Sequence, residues 1–191
     1  SFTNDDTPLL TGTGAAGATI AIYDNGGGTP IGTVVADSGG NWSFAPAALS
    51  AGAHIFTATA TDAAGNESPV SASYTITIDT TPPAAPVING LSDDFAPVTG
   101  PILSGDTTND ATPTLSGSGA GSGATVSIYD GATLLGTALA DGSGNWTFTP
   151  SSPLSDGSHS LTASVADAAG NVGTSTAYLV TVDTAAPLTP T

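Results

Sequence analysis

Four turns of similar sequence carry the side chains best suited to chemistry. Each begins with Asp, ends four residues later with Asn, and has mostly small residues in between: residues 37–41, 62–66, 141–145 and 167–171. Carboxylate, amide and loop carbonyl oxygens are the ligands that Ca²⁺ takes in proteins. The same residues also form tight turns without a metal, because Asp accepts backbone N–H groups and Gly or Asn adopts a positive φ. The pattern therefore indicates either calcium ligands or plain turns.

The charge balance of the chain favours a cation. The 191 residues include no Lys or Arg and 16 acidic residues, of which only Glu67 is not Asp, and the formal net charge is −16. Asp side chains that converge without a basic neighbour repel one another unless they are solvated or share a bound cation. Oxygen-only ligands suit Ca²⁺, which is the cofactor we expect.

The same composition excludes several classes of function. Without Lys or Arg the chain has no basic patch, so it offers no surface for nucleic acid or for an anionic membrane. It has no lysine for a phosphate-binding loop or a Schiff base. It contains no Cys, which removes thiol catalysis, thiolate zinc sites and disulfides. No apolar run approaches the length of a membrane-spanning helix.

A duplicated sequence organises the chain. Short motifs recur after about 105 residues: TND at 3 and 108, IYD at 22 and 128, GNW at 40 and 144, and DAAGN at 62 and 167. A period of this length indicates tandem domains rather than a solenoid. We expect domains at residues 1–79 and 80–183, with residues 184–191 forming a linker or the start of a further repeat.

Apolar and polar residues alternate inside each repeat. This period of two predicts half-buried antiparallel strands, and the Gly- and Asp-rich turns between them indicate an all-β sandwich without helices. The first repeat shows six strands, starting near Pro8, so its first strand is missing. The second repeat is predicted to have seven strands, near residues 83–90, 112–118, 124–130, 132–140, 145–150, 158–167 and 174–183.

The ordered motifs of the two repeats resemble a known family. TPxLSGxG, ATVxIYDG, DGxGNWxFTP and VDTxxP follow one another in the second repeat and recur with small changes in the first. This order resembles the bacterial immunoglobulin-like (Ig-like) repeats of giant biofilm and host-contact adhesins exported by type I secretion. The resemblance implies two seven-stranded Ig-like β-sandwiches, the first lacking its own first strand within this chain.

The resemblance also implies a function. Such repeats form an extracellular spacer at the bacterial cell surface, which holds a distal binding domain away from the cell, and calcium at the domain junctions stiffens the array. The expected partners are neighbouring Ig-like repeats of the same chain or identical subunits, with no small-molecule substrate.

Strand polarity predicts which turns share one end of a sandwich. The linker after the last strand of the first repeat should meet the end of the second repeat at which its first strand starts. We therefore expect a junction calcium site that consists of Asp79, Asp141, Asp167, Asn145 and Asn171. Further candidates are the matching turns of the first repeat and the acids near the opposite ends: Asp37, Asp62, Asn66, Asp5, Asp24, Asp106, Asp110, Asp130 and Asp183.

Other residues indicate structural roles. His54 and His159 occupy equivalent positions before the sixth strand of each repeat and are interpreted as structural or surface residues. Trp42 and Trp146 lie in strands, two residues before a Phe, and both are predicted to be largely buried. No G-x-S-x-G elbow is present, and two near-identical sandwiches with short loops leave little room for a cleft, so we expect no enzyme.

Two other functions fit the same sequence. One is a filament subunit assembled by donor-strand complementation, in which residues 184–191 complete residues 1–79 of the next molecule. The other is a glycan-binding accessory module, which would need exposed loop aromatics such as Phe2 and Phe95.

Overall fold

The computed structural model describes residues 1–189 and divides into two compact units. The first comprises residues 1–81 and the turn at 168–171, and the second comprises residues 82–167 and the chain from Val172 onward. All regular structure in the described residues is β. No helix among them is long and apolar enough to cross a membrane. The all-β prediction is thus confirmed.

The first unit forms two sheets. The larger has the strand order β1-β7-β6-β3-β4, and the smaller consists of β2 and β5. Their bounds are β1 Phe2–Thr3, β2 Leu10–Thr13, β3 Thr19–Asp24, β4 Gly32–Val35, β5 Asn41–Phe44, β6 Gly52–Thr61 and β7 Tyr74–Ile78.

The second unit repeats this plan with additional strands. One sheet has the order β10-β17-β15-β12-β13, with β16 also paired to β15, and the other has the order β14-β11-β8-β9. Their bounds are β8 Val87–Asp93, β9 Gly100–Ile102, β10 Thr107–Thr108, β11 Thr114–Ser118, β12 Thr125–Asp130, β13 Thr133–Leu139, β14 Trp146–Phe148, β15 Gly157–Ala166, β16 Val172–Thr174 and β17 Tyr178–Val182.

All the strands predicted from the sequence are present, and the structure contains four further short strands that were not predicted. The strands β1, β9, β10 and β16 have only two or three residues each, too few to display an alternating pattern. β1 and β10 pair in parallel with the last strand of their own unit, β7 and β17. Strand β8 is the first strand of the second unit, and the described residues of the first unit contain no equivalent.

Each unit has its own apolar core. In the second unit the core includes Leu115, Val126, Ile128 and Leu161, and in the first unit Leu10, Ile20, Ile22 and Phe56 occupy the corresponding strands. Strand alternation places these side chains on the inner face of each sheet. Burying them supplies the main driving force for each fold.

The prediction that both tryptophans are largely buried is confirmed for Trp146, and Trp42 is buried less completely but packs against the core of the first unit. Trp146 is buried, with 3% of its surface exposed, whereas Trp42 is only half-buried. Each ring lies over a glycine of the adjacent strand. A Cβ atom added at Gly117 would fall 2.1 Å from Cζ2 of Trp146, and one added at Gly12 would fall 2.4 Å from Cζ2 of Trp42. The difference arises because β8 lies beside β11 in the second unit and nothing among the described residues takes that place beside β2.

The matched tryptophans allow a direct test of this difference. Trp146→Ala is expected to lower the free energy of unfolding of its unit by about 3–5 kcal/mol, the usual cost of truncating a buried large aromatic side chain. Trp42→Ala should cost less, because a half-buried ring gives up fewer contacts. Urea-dependent hydrogen exchange, followed separately in β14 and β5, measures both. An equal or larger loss for Trp42→Ala would contradict this account.

Candidate functional site

The Asp-to-Asn turns at residues 37–41, 62–66 and 141–145 share one set of internal hydrogen bonds. In residues 141–145, Asp141 Oδ1 accepts the backbone N–H groups of Ser143 at 2.8 Å and Asn145 at 2.9 Å, and Asn145 Nδ2 donates to Asp141 Oδ2 at 3.3 Å. Residues 37–41 and 62–66 have the same arrangement. The carboxylates are therefore satisfied by neutral donors of the turn itself.

These donors favour the ionised form of each Asp. The backbone N–H of Asn41 holds the pKa of Asp37 below its usual value of 3.8, and that of Asn145 does the same for the pKa of Asp141. For Asp62 the amide side chain of Asn66 has the largest share in lowering the pKa. A carboxylate that accepts several N–H groups becomes protonated, and loses the stabilisation from these hydrogen bonds, only in acid.

The fourth turn, residues 167–171, contacts the end of the first repeat. Within the first compact unit, Asn171 is buried and its Nδ2 donates to the backbone carbonyl of Asp79 at 2.7 Å. The Asp79 carboxylate accepts the N–H of Thr81 at 3.0 Å. Two of the five residues predicted for the junction site, Asp79 and Asn171, are thus in direct contact.

Two histidines form buried Asp–His pairs, which the sequence analysis did not find. His54 Nδ1 lies 2.6 Å from Asp24 Oδ2, and its Nε2 lies 2.9 Å from the carbonyl of Ser50. In the second unit, His159 has equivalent partners in Asp130, at 2.7 Å, and the carbonyl of Ser155, also at 2.7 Å. A neutral imidazole has one N–H, so only the protonated ring can donate to both acceptors. The structural interpretation of the histidines agrees with this geometry.

The protonated form is favoured at both histidines. The Ser50 carbonyl and the Asp24 carboxylate raise the pKa of His54 above its usual value of 6.5. For His159 burial opposes the charge, but the Asp130 carboxylate and the Ser155 carbonyl outweigh it and raise the pKa as well. Asp24 and Asp130, which were predicted as further calcium candidates, therefore have a histidine as partner.

A second set of buried acids lies in the second unit. Thr108 Oγ1 donates to Asp93 Oδ2 at 2.5 Å and accepts the N–H of Asp110 at 3.0 Å. Asp110 Oδ2 accepts the N–H of Asp94 at 3.4 Å, and both Asp93 and Asp110 are buried. Asp93 was missed because the spacing of the motifs gives no sign of its burial. The equivalent of Asp110 in the first unit, Asp5, is exposed.

The remaining candidates have local partners. Asp5 Oδ1 accepts the N–H of Thr7 at 2.9 Å, and Asp106 Oδ2 accepts that of Leu103 at 2.8 Å. Asp183 Oδ1 accepts the N–H of Ala185 at 3.1 Å.

The donor chemistry of these turns fits calcium, but the described residues do not gather the ligands. Asp, Asn and carbonyl oxygens are the right types. Among residues 1–189, however, no group of three or more His, Asp or Glu side chains is placed to hold a metal ion. The calcium site therefore stays a prediction.

The sequence matches the model of the bacterial Ig-like domain twice, at residues 1–80 and at residues 92–184. The chain belongs to the bacterial Ig-like domain family. This membership confirms the resemblance seen in the motifs, and each match corresponds to one of the two sandwiches. A comparison of the Ig-like chain with curated proteins finds no match.

Solved structures match the Ig-like chain at low sequence identity. The fibronectin(III)-like modules of CbhA from Clostridium thermocellum are 12% identical, with a TM-score of 0.50 over 95% of this chain and 87% of that one. The BSP domain of a biofilm-associated protein is 23% identical, with a TM-score of 0.36 over 97% of this chain and 29% of that one. A tetra-tandem repeat in the extending region of a large adhesion protein is 22% identical, with a TM-score of 0.36 over 95% and 47%.

The Asp–His pairs predict that stability falls at mildly alkaline pH. The folded state binds the imidazole proton more tightly than the unfolded chain, whose histidines titrate near 6.5. The stabilisation is therefore complete below pH 6.5 and is lost as the pH rises through the folded pKa. We expect the free energy of unfolding to decrease as the pH rises above 6.5 and through the raised pKa of the folded histidines. Urea unfolding at a series of pH values, with NMR titration of both imidazoles, measures this.

The matched control is the double variant His54→Gln, His159→Gln, which should lose the pH dependence in this window. The carboxylates of Asp37, Asp62 and Asp141, whose pKa values lie below the usual 3.8, lose their charge only in acid and do not contribute in this window. Imidazoles that titrate at or below 6.5 in the folded chain would contradict the role given to the Asp and carbonyl partners.

Proposed function

We propose that the chain is a spacer segment of a large extracellular bacterial adhesin. The observation that carries this proposal is the duplication: two bacterial Ig-like domains in succession account for residues 1–80 and 92–184. The motif order that resembles adhesin repeats supports it further. The segment acts by its length, it projects a distal binding domain from the cell surface, and it catalyses no reaction.

The proposal is tested by exchange of the segment in the protein that carries it. Replacing residues 1–189 by two unrelated Ig-like domains of similar length should preserve adhesion of the cells, and deleting them should reduce it. A replacement of equal length that abolishes adhesion would show that these repeats carry a binding function of their own. That result would favour the glycan-binding alternative.

The finer part of the proposal is that calcium stiffens this spacer through Asp79, Asp141 and Asp167, with Asn145 and Asn171. Support comes from the absence of any Lys or Arg and from the contact of Asn171 with the Asp79 carbonyl. We expect weak binding. A Kd of about 10⁻⁴ to 10⁻³ M is typical of extracellular calcium modules.

Calcium is therefore expected to raise the thermal stability of the chain only at high concentration. At ten times the Kd, a single site stabilises by about 1.4 kcal/mol. Asp79→Asn and Asp167→Asn should weaken this response. Asp156→Asn, which removes the same charge from a residue outside the proposed site, should leave it intact.

Thermal unfolding measures the effect of calcium on stability, and small-angle scattering measures its effect on the stiffness of the spacer, each with calcium and with chelator. Identical melting and scattering curves in both conditions would mean that the Asp-rich turns are turns without a metal. The spacer role would survive that outcome, because it rests on the repeated domains.

A further inference from the structure

The last strand of the second unit, β17, is bonded on one side to residues 105–108. β10 pairs with β17 in parallel, with Thr107 opposite Thr181 and Thr108 opposite Val182. Backbone bonds of 2.8 to 2.9 Å extend this pairing, in which the N–H groups of Gly105, Thr181 and Asp183 donate to the carbonyls of Leu179, Asp106 and Thr108, respectively. Residues 105–108 and 179–183 thus form a continuous parallel pair, which we call the terminal pair.

The terminal pair is reinforced by a side chain and recurs in the first unit. The hydroxyl of Tyr178 donates to the carbonyl of Ile102 at 2.6 Å. In the first unit β1 is parallel to β7, and the Thr77 N–H donates to the Ser1 carbonyl at 2.8 Å. The duplicated sequence therefore specifies this pairing twice.

The chain enters and leaves the second unit at opposite ends. Asp93, the last residue of β8, accepts the hydroxyl of Thr108, and Thr108 pairs with Val182 near the end of β17. The ends of β8 and β17 are therefore close together. Because a strand rises about 3.3 Å per residue, Val87 at the start of β8 lies about 20 Å from that end.

Contacts at the entry end agree with this polarity. β15 is antiparallel to β17, with Gly157 opposite Val182, so the last residues of β15 lie far from the end of β17. There Val165 pairs with Gly173, and a Cβ atom added at Gly173 would fall 2.3 Å from the carbonyl oxygen of Pro83. The residues just before β8 thus lie at the end of the unit that is opposite to the end of β17.

Tension along the chain therefore pulls β8 and β17 in opposite directions, each along its own axis. β8 is held by β11 in a ladder that extends from Val87 opposite Ser118 to Ser92 opposite Thr114. Ladder hydrogen bonds lie across the strands, so sliding one strand along its neighbour strains the bonds of the whole pair together. Separating two strands from one end breaks the same bonds one after another, and each bond alone is weak. The topology thus places the more resistant geometry along the chain.

We propose that the second unit withstands tension through a two-part clamp, which consists of β8 on β11 and of the terminal pair. β8 bears the tension first, because the chain enters the unit through it. When β8 slides, the pull reaches β10, and the terminal pair then keeps residues 109–178 folded. Thr108 connects the two parts, since its hydroxyl bonds to Asp93 and its strand pairs with β17. The inference rests on the bonds of this unit and stands or falls independently of the proposed spacer role.

The clamp determines how fast the unit unfolds under force rather than how stable it is at equilibrium. Forced unfolding depends on the barrier that the pulled strands must cross. Leu135 packs against the core from β13, which lies at the edge of the sheet opposite to β10. A change at Leu135 should therefore affect stability without weakening the clamp, whereas a change in the terminal pair should affect the force.

The first test changes only the direction of pulling. The full 191-residue chain contains no Cys, so two introduced cysteines give unique attachment points for single-molecule force spectroscopy. The double variant Ala85→Cys, Ala185→Cys pulls β8 and β17 from opposite ends, whereas Ala85→Cys, Ser122→Cys pulls β8 and the turn after β11 from the same end. All three positions are exposed. We expect the rupture force to be at least about twice as high for the first variant, because its bonds must break together. Equal forces, or a higher force for the second variant, would overturn the proposal.

Two single substitutions, added to the first double variant, separate the clamp from overall stability. Thr181→Pro removes the N–H that bonds the Asp106 carbonyl and should lower the rupture force by at least about a third. Leu135→Ala should lower the free energy of unfolding in urea and leave the rupture force within about a tenth of its original value. Rupture forces that follow the loss of stability in both variants would contradict the clamp.

A milder variant covers the case in which the proline prevents folding. Thr108→Val keeps the backbone of β10 and removes only the hydroxyl, which bonds to Asp93 and Asp110. It should also lower the rupture force, and Thr137→Val, at an exposed position on β13, should not. An unchanged force in Thr108→Val would mean that β8 and the terminal pair are not coupled, and the two-part clamp would be wrong.

Discussion

The absence of any positively charged side chain other than histidine is the constraint on which this structure depends. Fifteen Asp residues and Glu67 have no Lys or Arg to pair with. In the turns, the carboxylates accept backbone N–H groups two and four residues ahead. Where an acid is buried, it contacts a histidine, a threonine hydroxyl or a backbone N–H. Apart from the two Asp–His pairs, neutral donors thus take the place that Lys and Arg have in most proteins, because a buried charge without a partner is strongly unfavourable.

A second dependence is the completion of each sandwich by its first strand. The two units have closely similar sequences, yet the second buries Trp146, Ala163 and Val165, whereas their equivalents in the first unit are only partly buried. The difference lies in β8, which covers one side of the core and also covers Asp110 and Thr108. One strand therefore determines both the apolar and the polar packing of a unit.

Much of this was visible in the sequence, and the rest depends on contacts far apart in the chain. The strands were predictable because a half-buried strand shows its own period of two, as Trp146 and Phe148 do. The turns were predictable because Asp, Gly and Asn have local backbone preferences. By contrast, Asp24 pairs with His54 across 30 residues, and no local pattern indicates such a pair. The first repeat was seen to lack its first strand, but the partial exposure of Trp42 that follows depends on contacts between strands that no local pattern indicates.

The hydrogen-bonded turns also affect the slow chemical degradation of this protein. Asp-Gly and Asn-Gly sequences degrade when the backbone nitrogen of the glycine attacks the side-chain carbonyl carbon and closes a succinimide ring. Asp141 precedes Gly142, but its carboxylate is held by the N–H groups of Ser143 and Asn145. Asn25 precedes Gly26, and its side-chain oxygen accepts the N–H of Ile55 at 3.1 Å. Ring closure requires these bonds to break, so isomerised Asp141 or deamidated Asn25 would record the time that a molecule has spent locally unfolded.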